Sequence, residues 1–407
     1  YGMAMVDVLE NFPENHPRKK EIIAILNRFA QAVQKVQDPK SGLWFDVLDK
    51  PTGKGNYLEA SASSMFVYTF AKAVRNGWLP ASYFAVADKG YKGIQKEFIE
   101  QRAAGKVNLK GTVEVSGLGG KPYRDGSYEY YVSEKVITND PKGVGAFLLA
   151  ANEMEIAATP KIGKGKTVVL DSYFNNETKK DQSGNDQSWH YKWDERPNGG
   201  FSFWGEQFQN SGFKLNTLYQ APTQANLKNA AVYIIVDPDF EKENPNPNFI
   251  SAADVKQISE WVKLGGVLVL MGNDAPNVEL TNFNKLANVF GVHFNGDSKG
   301  TVPVATNFET AKVIVPSGNE IFKPKDLFIK EYSSLKLSGN AKSILKDKDG
   351  DDVISVTKFG KGTVFVIGDP WLYNEYVDGR KLPANYKNFE ASQELVNWLA
   401  KQTAEKK

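Results

Sequence analysis

A chain of 407 residues is long enough for two domains. Its 50 basic and 48 acidic side chains nearly cancel, so no basic excess points to nucleic acid, and no apolar run reaches the roughly 18 residues of a membrane span. The absence of cysteine excludes disulfides, thiolate nucleophiles and thiolate-bound metals; the three histidines, His16, His190 and His293, form no H-x-x-H pattern, so a zinc site is not expected.

Residues 1–158 read as mostly helical, with helices predicted over 1–11, 16–37, 57–76, 81–101 and 142–157. The first places Met5, Val6 and Leu9 on one face with no capping residue ahead of them, so the chain is expected to begin inside an element, with sequence missing upstream of Tyr1. The second carries Ile22, Ile23, Leu26, Phe29, Ala30, Val33 and Val36 at helical spacing behind Pro17. The third ends at Asn76-Gly77, a natural C-terminal stop. Loops over 38–56 and 103–139 separate these helices, and loops of that length mark either function or disorder.

Pro, Gly and Lys crowd residues 159–166, T-P-K-I-G-K-G-K, and predict a linker. Beyond it strands are predicted over 167–171, 215–218, 231–237, 267–271, 353–357 and 363–367, with helices over 201–211, 252–264 (capped by Ser251), 282–290 and 389–401. Near-continuous β-branched runs alternating with helices predict a doubly wound parallel α/β sheet over 167–407.

Several constellations could carry chemistry. Residues 116–131 read S-G-L-G-G-K-P-Y-R-D-G-S-Y-E-Y-Y. Gly119 and Gly120 let backbone approach a ligand, Arg124 offers a planar donor fork for a carboxylate, and Tyr130 offers a ring with a polar tip. That set suits an acidic sugar; the same composition also makes an ordered surface loop with a D-G turn. Trp44 follows Gly42-Leu43 as either a stacking platform or a core plug. Glu59 and Ser61 open the small-residue run Y-L-E-A-S-A-S-S-M-F, which either faces a cleft or lets helices pack tightly. In the α/β region Asp171, Asp237, Asn273, Asp274 and Asp369 each follow an apolar strand, where ligands of open α/β sheets bind. Asp237, Asp274 and Asp369, with Trp371 beside the last, form a candidate second site for a sugar or a cation. The run D-K-D-G-D-D over 347–352 departs from a calcium loop in the place of its Gly and reads as a hairpin turn.

Four blocks in order, D-P-K-S-G-L-W-F-D-V-L-D-K-P (38–51), Y-L-E-A-S-A-S-S-M-F (57–66), R-D-G-S-Y-E-Y-Y (124–131) and N-D-P-K-G-V-G-A-F-L-L-A (139–150), resemble the C-terminal half of glycoside hydrolase family 105. These are the unsaturated rhamnogalacturonyl and glucuronyl hydrolases related to family 88. The resemblance covers about residues 1–158. It implies part of an (α/α)6 barrel and a substrate with a 4,5-unsaturated uronic acid at its non-reducing end, the product of a pectin (rhamnogalacturonan) or related polysaccharide lyase. The implied reaction is hydration of the vinyl ether: an Asp protonates C4, water adds at C5, and the hemiketal collapses. No metal or nucleotide is implied. In that family the acid/base Asp, its partner Asp, a His and an R-G-N-G-W block precede the helix with which this chain begins. The resemblance therefore implies that the acid/base Asp lies upstream of Tyr1, that none of the catalytic residues is here, and that this chain alone is inactive. Trp44, Glu59, Ser61, Gly119, Gly120, Arg124 and Tyr130 carry over as lining of the substrate cleft.

Residues 167–407 resemble, more weakly, the glutamine-amidotransferase-like α/β fold found as an accessory module on bacterial hydrolases. Such an amidotransferase needs a nucleophilic Cys, and Met271-Gly272-Asn273-Asp274 stands at the corresponding turn, so a non-catalytic module is expected. The whole reads as a bacterial polysaccharide-degrading enzyme, exported to the periplasm or beyond; the alternative is a non-catalytic carbohydrate-binding or scaffold protein.

Overall fold

In the computed structural model, which describes residues 1–13, 16–275, 277–304 and 306–403, contacts divide the chain into two units, Tyr1–Thr159 and Pro160–Lys407.

Unit 1 is built on helices α1 (Gly2–Asn11), α2 (Lys19–Lys35), α3 (Ala60–Arg75), α4 (Phe84–Glu97), α5 (Tyr128–Ser133) and α6 (Pro141–Ala158). Pro17 sits in the turn before α2 rather than inside it. The helix predicted from residue 57 starts three residues later, because Glu59 is extended and its side chain caps α3 by accepting the Ala62 N–H. The segment predicted as one helix over 81–101 breaks into a 3₁₀ turn (Ala81–Tyr83), α4, and a strand β1 (Ile99–Gln101). That strand pairs antiparallel with β2 (Val107–Leu109), and β3 (Thr112–Val113) pairs with β4 (Val136–Ile137). The long segment 103–139 is thus closed on itself by short ladders.

Helix α3 is the centre of unit 1 and packs against α1, α4 and α6. Small residues make this possible. A Cβ on Gly90 of α4 would stand 2.8 Å from Val67 Cγ2 and 2.9 Å from the Trp44 ring, so the two helices approach at glycine distance. Leu9, Leu26, Ala30, Phe70, Ile94 and Ala150 fill the core around it. Charges lock the edges: the buried Lys72 pairs with Asp7 at 2.9 Å and Glu10 at 2.7 Å, tying α3 to α1. Arg75 makes a two-pronged contact with Glu153 of α6 at 2.8 and 2.7 Å.

Unit 2 opens with β5 (Thr167–Asp171), a hairpin of β6 (Thr178–Lys180) and β7 (Asp186–Ser188), α7 (Ser202–Asn210), β8 (Lys214–Leu218), β9 (Ala230–Val236), α8 (Ala252–Lys263), β10 (Val267–Met271) and α9 (Leu280–Ala287). It continues through β11 (Val292–Phe294), β12 (Lys312–Val315), β13 (Lys325–Phe328), β14 (Leu335–Leu337), β15 (Lys342–Lys346), β16 (Asp352–Phe359), β17 (Gly362–Ile367), α10 (Asn374–Val377) and α11 (Asn388–Gln402). Nine of these strands form one sheet in the order β11-β14-β16-β17-β10-β9-β5-β8, with β15 also on β16.

The fully parallel sheet expected from the sequence is not what forms. The sheet is mixed: β17, β10, β9, β5 and β8 run parallel, whereas β16, β14, β11 and β15 are antiparallel to their neighbours. The segments 353–357 and 363–367 are two arms of one hairpin, turned at Gly360 with φ 58°, so no crossover helix lies between them. The parallel part keeps the expected logic. Along β9, Val232, Ile234 and Val236 point to one face and Tyr233 and Ile235 to the other. Helices α7 and α11 cover the first face with Trp204, Phe208, Leu395 and Leu399; α8 and α9 cover the second with Ile258, Trp261 and Phe283. Ser251 caps α8 through a reciprocal box with Asp254. The acidic run 347–352 is a turn in which the Asp347 carboxylate accepts the N–H groups of Asp349 and Asp351 and the Tyr332 hydroxyl.

Candidate functional site

Three of the unit 1 candidates lie inside the fold. Trp44 is fully buried; its indole N–H donates to the Val33 carbonyl at 2.8 Å and its ring stacks on Phe70. Of the two roles open to it in the sequence, the structure places it as a core plug. Glu59 is 1% exposed and accepts from the Ser61 hydroxyl, the Ala62 N–H and the Val113 N–H, so it joins the start of α3 to β3. Ser61 is buried against it, and Ser63 accepts the Trp44 N–H at 3.1 Å. These residues are buried within unit 1.

The glycine–tyrosine segment is different. The Gly119 N–H donates to the Arg124 carbonyl at 2.8 Å and the Arg124 N–H returns to Gly119 at 3.1 Å, closing a tight loop. Gly119 and Gly120 have φ 71° and 85°, a conformation that favours glycine. Tyr130 accepts the Gly117 N–H at 3.2 Å on its hydroxyl, and Ser127 caps α5. The Arg124 side chain folds back over Gly117 and Gly120 and, among the described residues, forms no ion pair. The neighbouring Asp125 is held by the Ser127 N–H at 2.9 Å, which keeps its carboxyl below the usual range. A guanidinium, two glycines and a phenol therefore share one half-exposed loop.

Asp46, near Glu59, is a further titratable group. Burial, then the Glu59 charge, pushes its carboxyl up to about 6. Neither Asp46 Oδ2 nor the hydroxyl of the neighbouring Tyr57 has a hydrogen-bond partner among the described residues.

In unit 2 a cavity of about 520 Å³ opens beyond the carboxyl ends of the parallel strands. Asp237 follows β9, Asn273 follows β10 and Asp369 follows β17, and all three line it. Asp237 Oδ2 accepts the Tyr191 hydroxyl at 3.0 Å, and Asp369 Oδ2 accepts the Tyr373 hydroxyl at 3.0 Å. The other oxygen of each carboxyl is buried without a partner among the described residues. Burial pushes Asp237 well above the carboxylate range and Asp369 up to about 8. Burial, then Glu177 and Asp239, raises Glu243 on the cavity wall to about 7. Of the five non-glycine residues with positive φ among the described residues, four line this cavity: His190, Tyr191, Asp237 and Glu331. Such backbone strain concentrates at functional sites.

The other acids of the set do not join them. Asp171 is fully buried beneath the sheet end, held by the Tyr233 hydroxyl and the Phe174 N–H, with burial raising it to about 6. Asp274 binds Asn277, and Trp371 is a core residue packed on Phe322; neither lines the cavity. Tyr191 and Glu243 escaped the sequence reading because they sit in loops far from the strand ends. A Tyr flanked by Trp189, His190 and Trp193 was the available signal. Among the described residues no cluster of acids and histidines could hold a metal ion.

Comparison with known proteins bears on unit 1. The model of Glycosyl Hydrolase Family 88 matches residues 1–158. Protein Atu3128 of Agrobacterium fabrum is 36% identical over 170 residues, which cover 39% of this chain and 69% of that protein. An unsaturated 3S-rhamnoglycuronyl hydrolase of Alteromonas is 29% identical over 150 residues, 37% of this chain and 32% of that enzyme. A solved family 105 glycoside hydrolase from C. acetobutylicum is 50% identical where aligned, over 38% of this chain and 43% of its own, with a TM-score of 0.38. The chain thus spans less than half the length of these last two proteins. Through residues 1–158, this chain belongs to glycosyl hydrolase family 88.

Proposed function

We propose that the chain serves a hydrolase that removes a 4,5-unsaturated uronic acid from the non-reducing end of oligosaccharides released by a lyase from pectin (rhamnogalacturonan) or a related polysaccharide. The chemistry is hydration of the vinyl ether: a proton is delivered to C4, water adds at C5, and the resulting hemiketal opens and releases the neighbouring sugar. The observation that carries this reading is the Arg124 loop. It holds a guanidinium that forms no ion pair among the described residues, beside two glycines and the Tyr130 ring, inside the family-matched segment. A uronate carboxylate fits that fork. Trp44, Glu59 and Ser61 support the wall from within. The Alteromonas relative, an unsaturated rhamnoglycuronyl hydrolase by name, agrees with the substrate class.

No residue of this chain is assigned the acid/base role, and the helices of unit 1 are read as part of an (α/α)6 barrel. Unit 2 is read as an amidotransferase-like module without amidotransferase chemistry, because Asn273 follows β10 where a nucleophile would stand and the chain has no cysteine. Breakdown of polysaccharide fragments suits an exported bacterial protein.

The test is incubation with an unsaturated uronyl disaccharide, following loss of the ultraviolet absorbance of its double bond. Consumption of the substrate by the protein supports the hydrolase reading, and no consumption of any unsaturated uronyl oligosaccharide refutes it.

A further inference from the structure

The unit 2 cavity has no part in the hydrolase reading, and what it binds is independent of it. Its floor is a line of hydrogen-bonded groups, Asp237–Tyr191–Tyr373–Asp369, in which the two phenols also meet each other. Each acid is more than nine-tenths buried, lines the cavity, and keeps one oxygen that no described group satisfies. Buried polar atoms in a native fold are nearly always paired, so two orphans on one floor mark the place of an absent partner.

Proton counting says what that partner must offer. Each phenol spends its one O–H proton on the Oδ2 of its acid, so a protonated carboxyl carries its own proton on the orphan oxygen as a surplus donor, and an ionised one offers that oxygen as an acceptor. A site that donates and accepts at adjacent atoms matches hydroxyl groups, which do both.

Charge narrows the class further. Lys330 of the wall is engaged with Glu331 at 2.5 Å, the His190 ring contacts Glu177 at 2.8 Å, and Lys179 lies over the Trp189 ring. Among the described residues that line the cavity, no unengaged lysine or arginine is left for a carboxylate or phosphate. The wall acid Glu375 pairs in turn with Lys381. The remaining wall acid, Glu243, has its carboxyl pushed up to about 7 by burial and by Glu177 and Asp239, which disfavours its charge. Apolar surface completes the wall: Trp189, His190, Tyr191 and Tyr373 stack in sequence with centroid spacings of 4.8, 5.1 and 5.5 Å, and all four line the cavity. The rings stack on one another and Lys179 lies over the Trp189 ring, so the cavity meets their edges, and apolar edges beside hydroxyl-matching groups suit a pyranose.

The geometry points to a binding site in unit 2 for one or two residues of a neutral saccharide, hydrogen-bonded by Asp237, Asp369 and Asn273 and bordered by the ring edges of the stack that begins at Trp189. It differs in substrate charge from the uronate-binding role of unit 1. The groups facing Asp369 are Tyr373, Tyr191, Lys330, Glu331 and Asp274, of which Lys330 favours its ionised form and the acids oppose it. Ionisation of Asp369 removes the surplus donor, so affinity falls as pH rises through about 8.

The experiment is calorimetric titration of the full chain with L-rhamnose, D-galactose, D-mannose and their disaccharides. D-galacturonate serves as the anionic comparison and D-glucosamine as the cationic one. At least one neutral sugar binds more tightly than both charged sugars. Asp369→Ala and Trp189→Ala each weaken it by about tenfold or more. Asp369→Asn, isosteric and always neutral, still binds the sugar, and its affinity no longer falls at high pH. The Asn variant also shows that loss in the Ala variant is not misfolding, since both are checked by circular dichroism. Absence of binding by every neutral sugar overturns the proposal. So does tighter binding of galacturonate or glucosamine, or unchanged affinity in both Ala variants.

Discussion

Replacing Trp44 by Ala separates a core role from a ligand-facing one. The side chain is fully buried, its ring stands between Phe66 at 5.2 Å and Phe70 at 6.4 Å, and Gly90 of α4 is shaped to receive it. Truncating a large aromatic in such a place costs about 3–5 kcal/mol, because the surroundings collapse only in part. The lost indole hydrogen bond adds little, since the Val33 carbonyl keeps the Val36 N–H. For a unit of this size each kcal/mol moves the midpoint by about 2–4 °C, so the unit 1 transition falls by roughly 6–20 °C. Scanning calorimetry of the whole chain reads this, with the unit 2 transition as an internal control. An unchanged melting temperature combined with weaker oligosaccharide binding would refute the reasoning and restore Trp44 as a stacking platform.

Three further outcomes are expected. Arg75→Met strands the buried Glu153 carboxylate and lowers stability by about 3–5 kcal/mol in urea unfolding, most of which returns in the double variant Arg75→Met/Glu153→Leu. Asp369 has its folded pKa raised from 3.8 to about 8, so its stabilising contribution is complete below the unfolded pKa and is lost as pH rises through the folded one. Asp369→Asn therefore melts like the parent near about pH 4 and well above it near about pH 9, the gap being at most on the order of 5 kcal/mol; a constant gap across pH would contradict the cause. Tyr130→Phe removes the acceptor of the Gly117 N–H, so exchange of that amide speeds up, and in the active hydrolase KM rises more than kcat falls.

Which parts of this molecule could be read in advance follows from how local their causes are. Strands β5, β9 and β10 are continuous apolar runs buried on both faces, and Ser251 with Asp254 spells a helix start, so one window of residues suffices. The antiparallel half of the sheet was hidden because β11, β14 and β15 are short and partly exposed, and β11 (residues 292–294) finds its partner only at residues 335–337. Helix α5 has no buried residue and depends on its Ser127 cap inside a loop-like composition. In the cavity, Asp237 and Asp369 stood out as acids behind apolar strands, whereas Trp371 and Asp274 did so too and turn aside. Residue type and position relative to a strand say that a carboxyl is near a sheet end; only packing says which way it points.

The left-handed backbone at His190 and Glu331 bears on how this protein would respond to selection for heat resistance. Both side chains stand at the cavity wall, and glycine adopts φ values of 54° and 49° without the cost of about 1–2 kcal/mol that other residues carry there. A screen that scores only thermal survival will therefore collect glycine at these positions. Each such gain removes a ring or a carboxylate from the pocket. Robustness and recognition are opposed at the same two backbone positions, so a hardened variant of unit 2 is expected to be a poorer binder.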